Sequence, residues 1–246
     1  MNPSLMESMK EIPITQPEMI MMPNIYGIDP YTSVTIVDAV AGIVRYDPPR
    51  RKVAIIGAGP SRHEAPYDDP EWVMWGLNEI AQKRATAWHE LHPAAVQSAR
   101  DLAWLRQCPT PCYVLDLAEW DGLIPRPVQF PLDRIKAAGF RPYFTCTFAM
   151  QIALAILGGF EEIGLWGVSL HLGTPRERLL ERACVDYWIG FAEGRGITVS
   201  EDSGCARRPY LYGYDYEDEK LEGDIAVARF VQVAQQMGVL DLSQVE

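Results

Sequence analysis

The chain has 246 residues, of which 48% are hydrophobic, and 33 aspartates and glutamates outnumber its 22 lysines and arginines. This composition predicts a globular protein with a full core and excludes a disordered chain. The acidic excess disfavours nucleic acid as a partner, although it is compatible with a local basic groove. No apolar run approaches the roughly 18 residues of a membrane span and no secretion signal is present, so we expect a cytoplasmic protein without a membrane partner.

The cysteines show no pattern that indicates a disulfide framework or a zinc site. They are odd in number and lack paired C-x-x-C spacing. The five are Cys108, Cys112, Cys146, Cys184 and Cys205.

The first 50 residues differ in character from the rest of the chain. Residues 1–24 are rich in methionine and proline and show little periodicity, and a weak strand at 33–37 precedes a hinge-like segment at 47–51. We therefore predict an N-terminal arm or extension over residues 1–50, which is a possible contact in a homo-oligomer. Residues 51–246 are then predicted to form a Rossmann-like nucleotide-binding domain.

From Lys52 onward the pattern alternates between strands and helices. Predicted strands cover residues 52–56, 72–77, 86–90, 112–115, 162–166 and 197–200. Predicted helices cover residues 94–107, 147–157, 176–192 and 223–236. This alternation predicts an α/β fold with a mainly parallel sheet and helices on both faces. In such a sheet ligands collect beyond the carboxyl ends of the strands, where polar residues follow most of the predicted strands here.

The turn after the first of these strands, residues 57–61, is the strongest candidate for binding a phosphate. A buried apolar strand ends in Gly57, Ala58, Gly59, Pro60 and Ser61, so that no bulky side chain blocks an anion from the backbone N–H groups. Arg62 stands where the dinucleotide fingerprint needs glycine or alanine, and no Lys-Ser/Thr pair follows as in a P-loop. Glu79 keeps an NAD or FAD site open, and the alternative is a tight turn without a ligand.

Two further polar positions are predicted to face the same ligand. Asn78 ends the strand at 72–77, and its amide can donate to and accept from a ribose or a base, unless it only holds its own turn. Thr145, Cys146 and Thr147 open an apolar helix, where a threonine cap leaves backbone N–H groups available to an anion. Ordinary capping of a core helix explains part of this pattern.

The four histidines include two candidates for a general base. His89-Glu90-Leu91-His92 is one residue shorter than the zinc motif H-E-x-x-H, and on a strand positions i and i+3 point to opposite faces, so we expect no metal there. His92, beside Pro93, is the one expected to face the cleft, with His89 packed or on the surface. His171 follows Ser169 after the strand at 162–166 and has the pKa range of a base at neutral pH, although a lone histidine is often structural.

Three separated blocks resemble the superfamily of bacterial sialyltransferases and proteins like archaeal-type 6-hydroxymethylpterin diphosphokinase. They are the turn at 57–61, the strand ending in Asn78, and residues 143–168 with the helix between. Residues 52–205 also resemble uncharacterised proteins of tailed bacteriophages and prophages. The resemblance implies a cytidine nucleotide sugar as the donor, bound by Gly57, Gly59, Ser61 and Asn78, with residues 145–147 lining its pocket.

The chain departs from the family pattern at two positions. Ser169 stands where the family usually has aspartate, which argues against a metal-assisted diphosphokinase, and Phe148 replaces a glycine, which narrows the pocket. His92 and Pro93 fall where the sialyltransferases carry an Asn-Pro pair.

Together these features predict a metal-independent glycosyltransferase that moves a sugar from a nucleotide, preferably CMP-type, to the hydroxyl of an unknown acceptor. The nucleotide or nucleotide sugar is then a substrate, and no separate cofactor is expected. One alternative is a phage-encoded protein that binds or sequesters a nucleotide in the host cytoplasm without catalysis. The other is a structural phage protein with a vestigial pocket.

Overall fold

The computed structural model describes residues 25–78, 80–170 and 180–201, and for residues 25–28 and 201 it describes the backbone alone. The strands are β1 Ile25–Ile28, β2 Ser33–Asp38, β3 Ile43–Asp47, β4 Lys52–Ile56, β5 Trp72–Leu77, β6 Gln82–Ala85, β7 Ala87–His89, β8 Cys112–Val114, β9 Pro127–Gln129, β10 Glu162–Trp166 and β11 Thr198–Glu201. The helices are α1 Ala99–Leu105, α2 Leu117–Trp120, α3 Leu132–Ala137, α4 Thr147–Leu157 and α5 Arg182–Glu193, and short 3-10 turns cover Pro60–Glu64 and Ala94–Val96.

A parallel sheet organises the described residues. Seven strands lie in the order β11-β10-β4-β5-β7-β8-β9, and every neighbouring pair in this sheet is parallel. Strands β1 and β6 form a separate parallel pair, while β2 and β3 form an antiparallel hairpin. The predicted α/β, Rossmann-like, mainly parallel sheet is therefore confirmed.

The sheet is buried on both faces because its central strands are continuously apolar. On one face Val53, Ile55 and Trp75 pack in a cluster with residues of α4 and α5. On the other face Ile56 and Met74 pack with Trp72 and Tyr67 near the middle of the sheet. Farther along, the same side holds a cluster with Trp88, Leu105 of α1 and Trp120 of α2. Helices thus cover both faces, as the strand–helix alternation predicts.

Helix α4 approaches the sheet closely because small side chains lie on its buried side. Ala149, Ala153 and Ala155 are fully buried, and Ile152 fills the core beside them. The helix ends at Leu157, and Gly159 then adopts a positive φ of 74°, which glycine accepts without strain.

The hairpin of β2 and β3 packs against the main core. Ile36, Val44 and Tyr46 contact the cluster on the α4 face, and the Trp75 Nε1–H donates to the Tyr46 hydroxyl at 3.0 Å. The division of the chain into an arm at 1–50 and a domain at 51–246 stays a prediction. Residues 1–24 lie outside the described residues.

Several predicted elements have the bounds that the structure shows, and others are corrected. The strands at 52–56, 72–77 and 162–166 and the helix at 147–157 match β4, β5, β10 and α4. The single helix predicted at 94–107 is wrong, because α1 begins only after Ser98, whose hydroxyl accepts from the Asp101 N–H at 3.1 Å. Helix α5 spans Arg182–Glu193 and ends one residue beyond the predicted helix at 176–192, whose first residues, 176–179, lie outside the described residues. The helix predicted at 223–236 also lies outside them.

The strand order places a crevice at the carboxyl ends of β4 and β10. From β4 the chain proceeds through β5, β7, β8 and β9 toward one edge of the sheet, and β10 then returns to the other side of β4. The two loops that leave β4 and β10 therefore depart toward different halves of the sheet. Open α/β sheets bind their ligands at such a topological switch point.

Candidate functional site

A cleft of about 590 Å³ opens at this switch point. Its lining comes from the loops after β4, β5, β7 and β10 and from the start of α4, with one residue before α5. The lining residues are Ala58, Gly59, Leu77, Asn78, Ile80, His92, Thr145, Cys146, Thr147, Phe148, Gly167, Ser169, Leu170 and Glu181. Of the predicted site residues, the cleft therefore brings together Gly59, Asn78, His92, Thr145, Cys146 and Thr147.

The glycine turn, residues 57–61, is joined backbone to backbone with the loop after β10. The Gly57 N–H donates to the Trp166 carbonyl at 2.7 Å, and the Gly59 N–H donates to the Gly167 carbonyl at 2.7 Å. A Cβ atom at Gly57 would overlap the Gly167 carbonyl group, and one at Gly59 would overlap the Ser169 hydroxyl. These two glycines are thus required by close packing, and their N–H groups are engaged within the protein.

Ser61 strengthens the same junction. Its hydroxyl oxygen accepts from the Gly167 N–H at 2.9 Å. Gly167 itself has a φ of 70°, which favours glycine at this position. Among the described residues that line the cleft, the turn contributes Ala58 and Gly59, whereas Gly57, Pro60 and Ser61 are not part of the lining. A ligand contact of the latter three residues stays a prediction.

The start of α4 differs from the predicted threonine cap. Cys146 is the N-cap residue and makes no side-chain cap hydrogen bond, and Thr147 is already the first helical residue. The Thr145 hydroxyl instead donates to the Leu180 carbonyl at 3.1 Å, which ties this corner to the start of α5. Thr147 and Phe148 at the start of α4 line the cleft, so the positive end of the helix dipole lies at the cleft.

The Cys146 thiol is neutral at physiological pH. Burial raises the pKa of Cys146 to about 12, while the Phe148 and Ala149 N–H groups oppose this shift and Glu181 adds to it. Since only a thiolate is a good nucleophile, Cys146 forms part of the cleft surface and does not act as a nucleophile.

Asn78 combines a strained backbone with an unsatisfied side chain. Its φ of 48° is in the left-handed region, which asparagine tolerates better than most residues. Its N–H donates to the His89 carbonyl at 3.2 Å, and its own carbonyl accepts from the Trp88 Nε1–H at 3.1 Å. The side-chain oxygen Oδ1 is buried and has no hydrogen-bond partner. A buried unpaired acceptor costs free energy, so the position is suited to a ligand that donates to it.

His89 is a core residue and does not line the cleft. Its ring stacks on Tyr113 with a centroid separation of 5.0 Å, and its Nδ1 lies 3.1 Å from the Gly76 carbonyl oxygen and 3.0 Å from Gln151 Nε2. Burial lowers the pKa of His89 to about 3, with the bond to Gly76 opposing the shift. The ring is therefore neutral near pH 7, and His89 has no access to a substrate.

His92 lines the cleft, and its ring is hydrogen-bonded to the buried carboxyl of Glu90. The His92 side chain is 54% exposed, whereas that of Glu90 is 2% exposed. Glu90 Oε1 lies 2.9 Å from His92 Nδ1, and it also accepts from the His92 N–H at 3.3 Å and the Gln97 Nε2 amide at 3.1 Å. Burial raises the pKa of the Glu90 carboxyl, and the bonds from His92 and Gln97 oppose that shift.

The loop after β10 contributes further polar groups. Ser169 lines the cleft beside Gly59, and Glu181 lines it from the residue before α5. His171, the other predicted base, lies outside the described residues. Within the described segments no group of three or more His, Cys, Asp or Glu side chains is arranged to hold a metal ion.

Sequence reasoning missed two acidic residues of this site, Glu90 and Glu181. Glu90 lies in a block at a strand end where the histidines were considered as metal ligands and His92 as a base, without a partner for His92. The spacing of Glu90 two residues before His92 is the signal that identifies it. Glu181 has no local signal, because the fold of α5 against α4 places it there.

Comparison with known proteins gives no family assignment. No protein-family model matches the chain, and a search of curated proteins gives no match either. In the described part of the chain, no helix has the length and apolar character that crossing a membrane requires.

Solved structures show a weak similarity to sialyltransferases. The sialyltransferase CstII from Campylobacter jejuni with cytidine 5′-monophosphate is 14% identical with a TM-score of 0.43, over 72% of this chain and 99% of that chain. The sialyltransferase CST-II with a trisaccharide acceptor and CMP is 15% identical with a TM-score of 0.44, over 71% and 98%. An alpha-2,3-sialyltransferase from C. jejuni in apo form is 10% identical with a TM-score of 0.42, over 73% and 95%. At this level the similarity carries no conclusion about the reaction.

Proposed function

We propose that the protein is a metal-independent glycosyltransferase that transfers a sugar from a nucleotide donor to an acceptor hydroxyl. The observation that carries this proposal is the cleft at the switch point, where the buried, unpaired Oδ1 of Asn78 faces no protein donor. Cavities of roughly 300–1,000 Å³ with a few convergent polar groups are typical of sites for small ligands. The three sequence blocks that resemble nucleotide-sugar transferases all contribute to this cleft.

The donor is best accommodated with its phosphate near the start of α4. The N–H groups that follow Cys146 and the helix dipole favour an anion at this end. The dipole corresponds to roughly half a positive charge, which suits the single charge of a nucleoside monophosphate sugar better than a diphosphate. Asn78 is then placed to accept from a ribose hydroxyl or an exocyclic amine. This arrangement supports a CMP-type donor.

Transfer requires a base for the acceptor hydroxyl. His92 or His171 takes the proton of that hydroxyl as its oxygen forms a bond to the anomeric carbon. The bond between that carbon and the phosphate oxygen breaks, and the nucleotide leaves with the electron pair. Positive charge develops on the sugar in an oxocarbenium-like transition state. The imidazolium later returns its proton to water.

Binding of nucleotides is the first test of this function. The shift in Tm is measured with CMP, CDP, UDP, GDP, ATP and NAD, and hydrolysis of the corresponding sugar donor is then followed for each nucleotide that binds. We expect CMP to raise the Tm most, because it is the nucleotide of the proposed donor. A ligand present at 100 times its Kd adds about 2.7 kcal/mol to the free energy of unfolding. Stabilisation by none of the six would overturn the proposal.

Replacement of Asn78 tests the donor contact directly. Asn78→Gly removes the amide while keeping a residue that adopts positive φ without strain, so the backbone is preserved. We expect the Kd for CMP to rise about tenfold to a hundredfold, equivalent to about 1.4–2.8 kcal/mol, by isothermal titration calorimetry. Asn78→Asp keeps the acceptor atom and is the matched variant. Unchanged CMP affinity in Asn78→Gly contradicts the assigned contact.

One observation favours a second function, the binding or sequestration of a nucleotide without turnover. Ser169 lines the cleft at a position where the superfamily that the chain resembles usually has aspartate. If nucleotide binding is measured without donor cleavage, and neither His92→Ala nor His171→Ala alters it, sequestration replaces transfer as the function.

A further inference from the structure

We propose that Glu90 and His92 act as a hydrogen-bonded pair in which Glu90 positions His92 as the base of the cleft. This inference rests on the proposed function, and it selects His92 from the two candidate histidines. The pair uses the His-Glu-x-His segment that the sequence excludes as a metal site. Glu90 is a positioning residue, because it reaches the reacting atoms only through the His92 ring.

The backbone sets the two side chains at the end of β7. The Glu90 N–H donates to the Tyr113 carbonyl at 2.9 Å and so extends the pairing of β7 with β8. The chain then turns through Pro93 into the 3-10 turn, and the Ala94 N–H donates to Glu119 Oε1 at 2.8 Å. Hydrogen bonds therefore hold the backbone both before and after His92.

The hydrogen bonds fix which ring nitrogen faces the cleft. Glu90 Oε1 accepts from the His92 N–H, which can only donate, and from the Nε2 group of the Gln97 amide. These bonds favour the ionised carboxylate, which can only accept, so the hydrogen of the His92 ring resides on Nδ1. Nε2 then carries the lone pair, and because the His92 side chain is half exposed, that nitrogen is available to take a proton.

The buried carboxylate also stabilises the charge that forms during proton transfer. When Nε2 takes the acceptor proton, the ring becomes an imidazolium whose Nδ1–H remains directed at Glu90. A carboxylate shielded from water interacts more strongly with that charge than an exposed one does. The same relation holds in hydrolases, where a carboxylate orients a histidine and stabilises its charged form without accepting the proton.

Few other titratable groups surround this carboxylate. On β8 the Cys112 thiol lies near it, and its pKa is raised well above the ordinary value, first by burial. On α2, Glu119 accepts from the Ala94 N–H close by. Among the described neighbours, the His92 ring is the group whose charge Glu90 can balance through a direct hydrogen bond.

A merely structural role for Glu90 is the competing explanation, because the same oxygen also holds the His92 N–H and Gln97. Two variants separate the roles. Glu90→Leu removes the acceptor of Nδ1 and the charge, whereas Gln97→Leu removes another bond to the same oxygen and leaves the ring contact intact.

The tautomer of His92 is measured first, by ¹⁵N NMR of the free protein. We expect the Nδ1–H form in the wild type and in Gln97→Leu, and a loss of that preference in Glu90→Leu. This result does not depend on the reaction, so it tests the pair even if no nucleotide donor is cleaved. An Nε2–H ring in the wild type, or the same tautomer in Glu90→Leu, overturns the proposal.

Kinetics then test the role in transfer. General-base catalysis contributes roughly 10²–10⁴-fold, so we expect kcat to fall by that factor in His92→Ala and by about 10²-fold in Glu90→Leu, with little change in KM for the donor. In the His92→Ala background, Glu90→Leu should cause no further loss in kcat. A fall in Tm with unchanged kcat, or additive losses in the double variant, shows that Glu90 is structural only.

Discussion

The glycine turn borders the cleft on one side, and Asn78 and His92 border it elsewhere. The two regions use their polar groups differently. The turn directs the N–H groups of Gly57 and Gly59 and the hydroxyl of Ser61 into bonds with the loop after β10. Asn78 leaves a buried oxygen without a partner, and His92 presents an exposed ring that is held from behind. A motif that resembles a phosphate loop is thus mainly a packing junction here.

This difference separates scaffold from chemistry within one cleft. The junction between the turn and the loop after β10 builds the cleft, while groups with unused hydrogen-bonding capacity are positioned after β5, after β7 and at the start of α4. Variants in the two regions should therefore have opposite profiles. Changes in the turn should lower stability, and changes at Asn78 or His92 should lower binding or turnover at nearly constant stability.

Gly57→Ala is expected to have the largest effect on stability. The new Cβ would overlap backbone atoms of Gly167, which cannot rotate away as a side chain can. Overpacking of this kind costs about 3 kcal/mol, measurable as a lower free energy of unfolding in urea.

Gly190→Ala is the matched control for this glycine substitution. Gly190 lies on α5, and a Cβ there would meet no atom within 4 Å, so the change should add roughly 0.8–1 kcal/mol of helix stability. If Gly57→Ala were as stable as the wild type, the described close packing of Gly57 against Gly167 would be contradicted.

The dependence of stability on pH should reveal the buried His89. Its folded-state pKa of about 3 lies below that of an unfolded histidine, so between these values the unfolded chain binds more protons. The free energy of unfolding should therefore fall as the pH is lowered from about 6.5, by about 3 kcal/mol at pH 4.

His89→Gln, which cannot take up that proton, should show a flatter dependence over this pH range in the same unfolding experiment. His63→Gln provides the comparison, because it removes an exposed histidine on the turn after β4 without changing the core. Equal slopes for His89→Gln and the wild type would show that His89 is not buried as described.

Ser61→Ala should give the smallest effect and the sharpest distinction between the two regions. Loss of the bond from the Gly167 N–H should lower the free energy of unfolding by about 1 kcal/mol. The Kd for CMP should change less than about threefold, because Ser61 is not among the described residues that line the cleft. A larger loss of CMP affinity at constant stability would instead place the hydroxyl on the ligand.

The elements that the sequence predicts to the residue are those with one dominant signal. Strands β4 and β10 are apolar runs that end at Gly57 and Gly167, and α4 has an uninterrupted apolar stripe. Strand β6 was missed because its buried Arg84 is explained only by distant partners. Arg84 donates to the Tyr67, Asp69 and Trp72 carbonyls and pairs with Asp29, contacts that no local pattern reveals.

The candidate site follows the same rule. Placing polar residues at strand ends is a local inference, and it identifies Asn78 and His92 without the structure. The sequence also assigns different surroundings to His89 and His92, although it assumes strand geometry for both. In the structure β7 ends at His89, which lies in the core, and His92 follows the strand and lies on the cleft. The engaged N–H groups of the glycine turn and the contact of Glu90 with His92 depend on three-dimensional positions, so sequence alone does not predict them.

The interlocked loops after β4 and β10 also determine where the protein can adapt. Because backbone bonds already join Gly57 and Gly59 to Trp166 and Gly167, a ligand does not have to order these four residues and loses no entropy there. Under the proposed function, this preorganised part of the cleft contributes equally to every donor. Discrimination among donors must arise at the side chains around it, so Phe148 and Ile80 are the positions at which a new preference should be selected.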